Sequence, residues 1–215
     1  LPELSALRTE HLGKGFSRIV LCGMGGSSLA PEVIAATAGV ELVVLDSTYP
    51  SQVSAALSKD LARTIVVVSS KSGSTVETDS QKRAFEDAFD REGIDKTERI
   101  IIVTDPGSPM QKQATADGYR IFLANPSVGG RFSALTAFGV VPSILAGVDM
   151  QPILLDAVAA ADVLCRDEPG NPGLVLGAAM ARSASSVGFK DKMGIASISN
   201  QIVGLGDWME QLIAE

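Results

Sequence analysis

The chain has 215 residues, 46% of them hydrophobic and 20% charged, a balance that fits a globular protein with a sizeable core rather than a disordered one. Its formal net charge of −7 argues against a nucleic-acid backbone or an anionic membrane surface as the main partner, because both demand an excess of Lys and Arg. A small anion held in a local pocket stays compatible with that charge.

The opening, "LPELSALRTEHLGKG", reads as a polar lead-in over residues 1–15, without the basic-then-apolar pattern of a signal peptide. His11, the single histidine, falls there and is expected at the surface, so neither a histidine metal cluster nor a Ser/His/Asp triad is expected in the sheet. Short β-branched runs then alternate with helical patterns: "RIVLCG" at 18–23, "ELVVLD" at 41–46, "RTIVVVSS" at 63–70, "RIIIVTD" at 99–105 and a weaker "YRIFLA" at 119–124. Continuous hydrophobicity marks strands covered on both faces, and the intervening lengths suit crossover helices. The expected fold class is therefore α/β, a doubly wound parallel sheet flanked by helices.

Beyond residue 130 the texture becomes Ala-, Leu- and Val-rich helix, "SALTAFGVVPSILAGV" and "MQPILLDAVAAADVLCR", broken by "DEPGNPG". A further helix over 173–186, a strand in "KMGIASIS" and a terminal helix from about Gly206 complete the reading. These helices leave a homodimer interface and burial within a monomer equally open. No apolar run approaches the roughly 20 residues that cross a bilayer. Cys22 and Cys165 have no paired spacing and no nearby histidine, so both read as buried thiols in a reducing compartment, with the cytoplasm as the expected address. The chain starts without Met and ends at Glu215 inside an amphipathic helical pattern, so it is expected to be part of something longer.

Ligands of open parallel sheets gather beyond the carboxyl ends of the strands, and two loops there stand out. In "CGMGGSSLAPE", Gly23, Gly25 and Gly26 permit a tight turn, and Ser27 or Ser28 is placed to cap the following helix. Ser28 stands where a dinucleotide loop requires its third glycine and no Gly-Lys-Ser/Thr closes a P-loop, although Asp46 after the second strand keeps a cofactor reading open. In "SSKSGSTVET", six of ten residues carry a hydroxyl. Ser74 and Glu77 have capping-box spacing, but a cap does not account for Ser70, Lys71, Ser72 and Thr75 as well. Hydroxyls, amides and a lysine at a helix N-terminus suit a phosphate dianion.

Two later features add to these. In "SVGGRFSALTAFG" two glycines present Arg131, a fixed guanidinium for an anion or oxyanion, or simply a surface ion pair. In "GDWMEQLIAE", Gln211 and Glu215 are four apart on one helical face.

Taken in order, "GMGGSSLAPE", "SSKSGSTVET", "VGGRFSALTAFG" and "EQLIAE" resemble the phosphoglucose isomerases, enzymes built from two sugar-isomerase domains of doubly wound type. The wording of "SKSGSTVET" is most similar to the isomerase portion of bacterial bifunctional transaldolase/phosphoglucose isomerases. The resemblance implies sugar-phosphate contacts from Gly26 and Ser27, a phosphate cradle of Ser70, Lys71, Ser72, Gly73, Ser74 and Thr75, and a substrate contact from Gln211. Arg131 would stand by the reacting carbons, and Glu215 would shuttle a proton between C1 and C2 through a cis-enediol. It implies no metal or other cofactor. It also implies a histidine and a late lysine that this chain does not contain at matching positions, so the chain reads as one sugar-isomerase domain, inactive alone. The rival reading is a non-catalytic sugar-phosphate sensor, which needs the cradle but not the glutamate.

Overall fold

The computed structural model describes residues 1–181, 184–185, 188–189, 192–196 and 201–214. Five strands, β1 (Arg18–Gly23), β2 (Val43–Leu45), β3 (Thr64–Ser70), β4 (Ile100–Thr104) and β5 (Arg120–Leu123), form one sheet in the order β2-β1-β3-β4-β5, with every pairing parallel. The expected runs coincide with these strands to within two residues at either end. β1 and β3 are buried at every position, as unbroken apolar runs require.

Period-2 alternation divides the core between the two faces. Val20, Cys22, Val66, Val68, Ile100 and Ile102 pack with Phe85 and Phe89 of α4 (Val76–Arg91), Ala56 of α3 (Pro50–Ser58), and Met110 and Ala114 of α5 (Pro109–Ala116). On the other face α6 (Ala137–Ala146) lies on β1, β4 and β5, and α1 (Pro2–Gly13) and α2 (Leu29–Thr37) pack against it. The lead-in expected over 1–15 is thus a helix with a role in the core: Leu4, Leu7 and His11 are its buried residues. His11 is 7% exposed and its ring faces Phe16 at 6.1 Å, which corrects the surface placement. Its polar neighbours mask an apolar stripe only three residues long.

The helix α9 (Leu205–Ala214) returns to pack on α2 and on the 3-10 turn Gly130–Leu135, and belongs to the same compact unit as residues 1–149. A second unit, Met150–Ile198, holds α7 (Met150–Leu164), α8 (Pro172–Ala181) and a short antiparallel pair, β6 (Ala184–Ser185) with β7 (Gly188–Phe189). Asn171 starts α8: its Oδ1 accepts from the Gly173 amide at 2.8 Å while its Nδ2 donates to the Leu164 and Arg166 carbonyls, each at 2.8 Å. Residues 192–196 show no strand, contrary to the reading of "KMGIASIS", whose last residues lie outside the described ones. Cys165 is exposed rather than buried, because it falls just past the end of α7; Cys22 is buried as expected, and burial pushes its thiol up.

Candidate functional site

In this strand order the chain runs outward from β1 to β2 and then crosses back over β1 to β3. The crevice between β1 and β3, beyond their carboxyl ends, is the switch point where such sheets bind ligands. The register is flush there, Gly23 lying opposite Ser69. The glycine-rich loop leaves β1 and the hydroxyl-rich loop leaves β3, so both loops singled out in the sequence border one crevice.

The first loop is a 3-10 turn over Gly25–Ser27. Gly25 has φ +55, and a Cβ there would come within 3.0 Å of Gln211 Nε2. Gly26 is tighter still: a Cβ would meet the carbonyl carbon of Gly130 at 2.5 Å and the amide nitrogen of Arg131 at 2.8 Å. The lack of a side chain at Gly26 is therefore what seats this loop against the peptide that carries Arg131. Ser133 Oγ donates to the Gly26 carbonyl at 3.2 Å and closes the contact. Ser27 is buried, and Ser28, at the cap position of α2, donates to the Gly25 carbonyl at 3.1 Å instead of capping the helix. The loop thus differs from a dinucleotide loop in use as well as in pattern, since the Gly130–Arg131 peptide occupies the face that Gly26 opens.

The second loop is held by its own hydroxyls. Ser70 Oγ lies 3.1 Å from Thr75 Oγ1 and accepts from the Gly73 amide at 3.1 Å, while Ser72 Oγ accepts from both the amide and the hydroxyl of Ser74, at 3.2 and 3.1 Å. Ser70 is buried, and Ser72 and Ser74 are exposed. The capping box expected from Ser74 and Glu77 does not form: Thr75 is the cap residue of α4, and its side chain makes no capping hydrogen bond. Ser74 lies one residue before the cap position and instead donates through both its amide and its hydroxyl to Ser72 Oγ. With no side-chain cap among the described residues, the first-turn amides of α4 are open to an acceptor from outside, beside hydroxyls that can donate to the same acceptor. By contrast, α5 and α6 are capped by Ser108 and Thr136; α1 and α3, which start at a proline, lack a side-chain cap as α4 does.

Lys71 is placed differently from its expected position in the cradle. Its ammonium is 2.5 Å from Asp105 Oδ2, just past β4, and donates to the Pro126 carbonyl at 3.3 Å. Thr104 Oγ1 donates to the Ser70 carbonyl at 2.7 Å and sits 2.9 Å from Ser108 Oγ, and a Cβ at Gly73, where φ is +66, would strike Ser108 and Met110 at 2.9 Å. Thr104, Asp105 and Ser108 escaped the sequence reading. The signal was present, because "TDPGS" leaves β4 on the same edge of the sheet as the two loops.

Arg131 lies in the 3-10 turn Gly130–Leu135, with its guanidinium 4.9 Å from the centre of the Phe132 ring. Gln211, on α9, reaches Gly25, and its Oε1 is buried without a hydrogen-bond partner among the described residues. Glu215 lies outside the described residues. Gly26, Ser27, Arg131 and Gln211 thus meet around the first loop, while Ser70, Ser72, Gly73, Ser74 and Thr75 surround the start of α4. A cleft of about 610 Å³ between α3 and α4, lined by Val53, Leu57, Gln81 and Arg91 among others, includes no residue of either group. Among the described residues, no group of three or more His, Cys, Asp or Glu side chains is arranged to hold a metal ion, and no helix is long and apolar enough to cross a membrane.

The chain is 31% identical over 201 residues to the probable glucose-6-phosphate isomerase of Haloarcula marismortui, covering 92% of this chain and 46% of that protein. It is 32% identical over 209 residues to the glucose-6-phosphate isomerase of Gloeothece citriformis, covering 93% and 39% respectively. It therefore spans less than half the length of these relatives. Among solved structures, a hypothetical protein of Thermus thermophilus superposes with a TM-score of 0.80 at 27% identity, over 98% of this chain and 51% of that one. The glucose-6-phosphate isomerase of Chlamydia trachomatis does so with a TM-score of 0.61 at 31% identity, over 67% and 29%. A family model described as phosphoglucose isomerase matches residues 6–212. With nearly the whole chain inside that match, the protein belongs to the phosphoglucose isomerase family.

Proposed function

We propose that this chain forms the sugar-phosphate-binding domain of a glucose-6-phosphate isomerase, which interconverts glucose 6-phosphate and fructose 6-phosphate. The observation that carries the proposal is the uncapped start of α4, ringed by Ser70, Ser72, Ser74 and Thr75 at the switch point of the sheet. Amide donors and the positive end of a 16-residue helix favour a dianion there, and the hydroxyls supply further donors to its oxygens. The Gly25–Gly26 turn, seated on the Gly130–Arg131 peptide, provides a second rigid edge, with Ser27 and Gln211 beside it.

In this reading the phosphate anchors one end of the open-chain sugar and the other end extends toward Arg131. Glu215 takes the proton from C2 of the aldose as the C1 carbonyl becomes a hydroxyl, giving the cis-enediol. It returns that proton to C1 as the C2 hydroxyl becomes the ketone. A carboxylate can carry one proton between adjacent carbons on one face, and Arg131 offsets the negative charge that develops on the oxygens. O1 gains a proton and O2 gives one up, exchanged through solvent, so the net change moves one carbon-bound and one oxygen-bound proton and needs no redox partner.

Because the chain spans less than half of its curated relatives, the proposal assigns the remaining catalytic groups, including a ring-opening histidine and a late lysine, to residues outside it. A homodimer, a cytoplasmic address and a transaldolase fused in the natural protein belong to the same proposal. Titration of the 215-residue chain with fructose 6-phosphate is expected to raise its melting temperature, as any ligand of the folded state does, while fructose and NAD leave it unchanged. Substituting Ser74 and Thr75 with Ala is expected to remove most of that rise, and the chain alone is expected to turn over little substrate. No rise with fructose 6-phosphate would overturn the site, and rapid isomerisation by the chain alone would overturn the division of labour.

A further inference from the structure

The geometry points to Asp105 as a positioning residue that sets the separation between the hydroxyl loop and the Arg131 segment, an inference that rests on the sugar-phosphate reading above. Asp105 leaves β4, Lys71 leaves β3, and Pro126 lies between β5 and the turn that begins at Gly130. A single ammonium joins the three: Lys71 Nζ is 2.5 Å from Asp105 Oδ2 and donates to the Pro126 carbonyl at 3.3 Å. Both charged side chains are largely shielded, 28% exposed at Lys71 and 16% at Asp105, so their attraction is less screened than that of a surface pair. Three successive strand-exit loops are thereby bracketed at one point. The first carries the cradle hydroxyls, and the third leads within five residues to Arg131.

The bracket does not act alone on the hydroxyl loop. Thr104 holds the Ser70 carbonyl, and Ser108 with Met110 fills the space beside Gly73. These contacts shape the cradle locally, without Lys71. What the Lys71–Asp105–Pro126 bracket adds is a tie between the cradle and the segment carrying Arg131. Lys71, its charge offset by Asp105, then works as a strut instead of as a direct phosphate ligand. A sugar phosphate must touch the cradle and the Arg131 segment at once and is sensitive to their spacing, whereas inorganic phosphate needs only the cradle.

That difference supplies the test. Wild-type chain, Asp105→Asn and the double variant Asp105→Asn/Lys71→Met are titrated calorimetrically with fructose 6-phosphate and with inorganic phosphate at one ionic strength. Asp105→Asn is expected to weaken fructose 6-phosphate binding about tenfold while changing inorganic phosphate binding by less than about twofold, even though the site gains positive charge. The double variant is expected to match the single one, since the bracket is already broken. Should Asp105→Asn melt below the assay temperature, Asp105→Glu, which keeps the charge and lengthens the arm, is expected to show the same selective loss. Unchanged or tighter fructose 6-phosphate binding by Asp105→Asn would overturn the inference and make Lys71 a direct anion ligand. A parallel loss of both ligands would also overturn it, showing that Asp105 merely supports the cradle. If the wild-type chain binds neither ligand, the failure lies with the site itself.

Discussion

Replacing Gly26 with Ala should disturb this protein more than most single methyl groups would. The new Cβ would sit 2.5 Å from the carbonyl carbon of Gly130, 2.6 Å from its oxygen and 2.8 Å from the Arg131 amide nitrogen, against an ordinary contact that begins at 3.4 Å. Relief therefore requires the two segments to part by about 0.9 Å at the closest pair. All three atoms are backbone, so no side chain can rotate away. Overpacking of this kind costs about 1–3 kcal/mol, and the upper half of that range is expected here. The Ser133-to-Gly26 hydrogen bond is stretched by the same movement. For a chain of this size the corresponding loss is about 5–10 °C in melting temperature. Because the displaced peptide carries Arg131, the proposed isomerase bearing the substitution should also lose up to about 100-fold in kcat, the scale set by a misplacement near 1 Å. Urea denaturation and calorimetry on wild type, Gly26→Ala and Gly130→Ala form the assay. Gly130→Ala is the control, since a Cβ there meets nothing within 4 Å, and it should move stability by less than about 1 kcal/mol. A Gly26→Ala variant as stable as Gly130→Ala would refute the close approach of the two loops.

Two further expectations concern parts of the molecule away from the site. Burial, helped by the charges of Arg120, Lys14 and Arg99 and opposed by Glu10, holds the His11 imidazole below its ordinary value of 6.5. The unfolded chain then takes up this proton first, so the contribution of His11 is fully present above pH 6.5 and is lost as pH falls from there toward the folded value. His11→Phe should flatten the stability–pH curve in that window, and an unchanged slope would place His11 back in solvent. The two cysteines should separate cleanly. A thiol reagent is expected to modify exposed Cys165 at once and Cys22 only on unfolding, because Cys22 is fully buried and its thiolate disfavoured. Two rapid equivalents in the native state would contradict the packing of β1.

Much of the frame was legible in the chain. "RIVLCG" and "RTIVVVSS" read as strands covered on both faces, because central parallel strands are unbroken apolar runs, here rich in Ile and Val. The hydroxyl and glycine loops were also visible, since turn chemistry is local. Less legible was α1, whose three buried residues at 4, 7 and 11 sit among Glu, Arg and Thr, and whose burial depends on α6 lying across it.

Strand order, and hence which loops face one another, came from contacts across the fold. Nothing near Gly26 announces that the Gly130–Arg131 peptide, more than 100 residues later, will press against it. Likewise "SSKSG" reads as a lysine offered to an anion, and only the folded chain brings Asp105, 34 residues on, to claim that charge. Ser74 and Glu77 had the spacing of a cap, yet the fold puts Thr75 at the cap position and turns Ser74 toward Ser72. Local sequence sets the conformations a segment prefers at a cost of about 1 kcal/mol or less per residue. Contacts between segments far apart in the chain select which of those preferences survive, because burial and ion pairing between them are worth as much or more. In this protein local patterning was enough to dictate the α/β sheet and its two anion-suited loops, and the packing of β1 beside β3 made them one crevice.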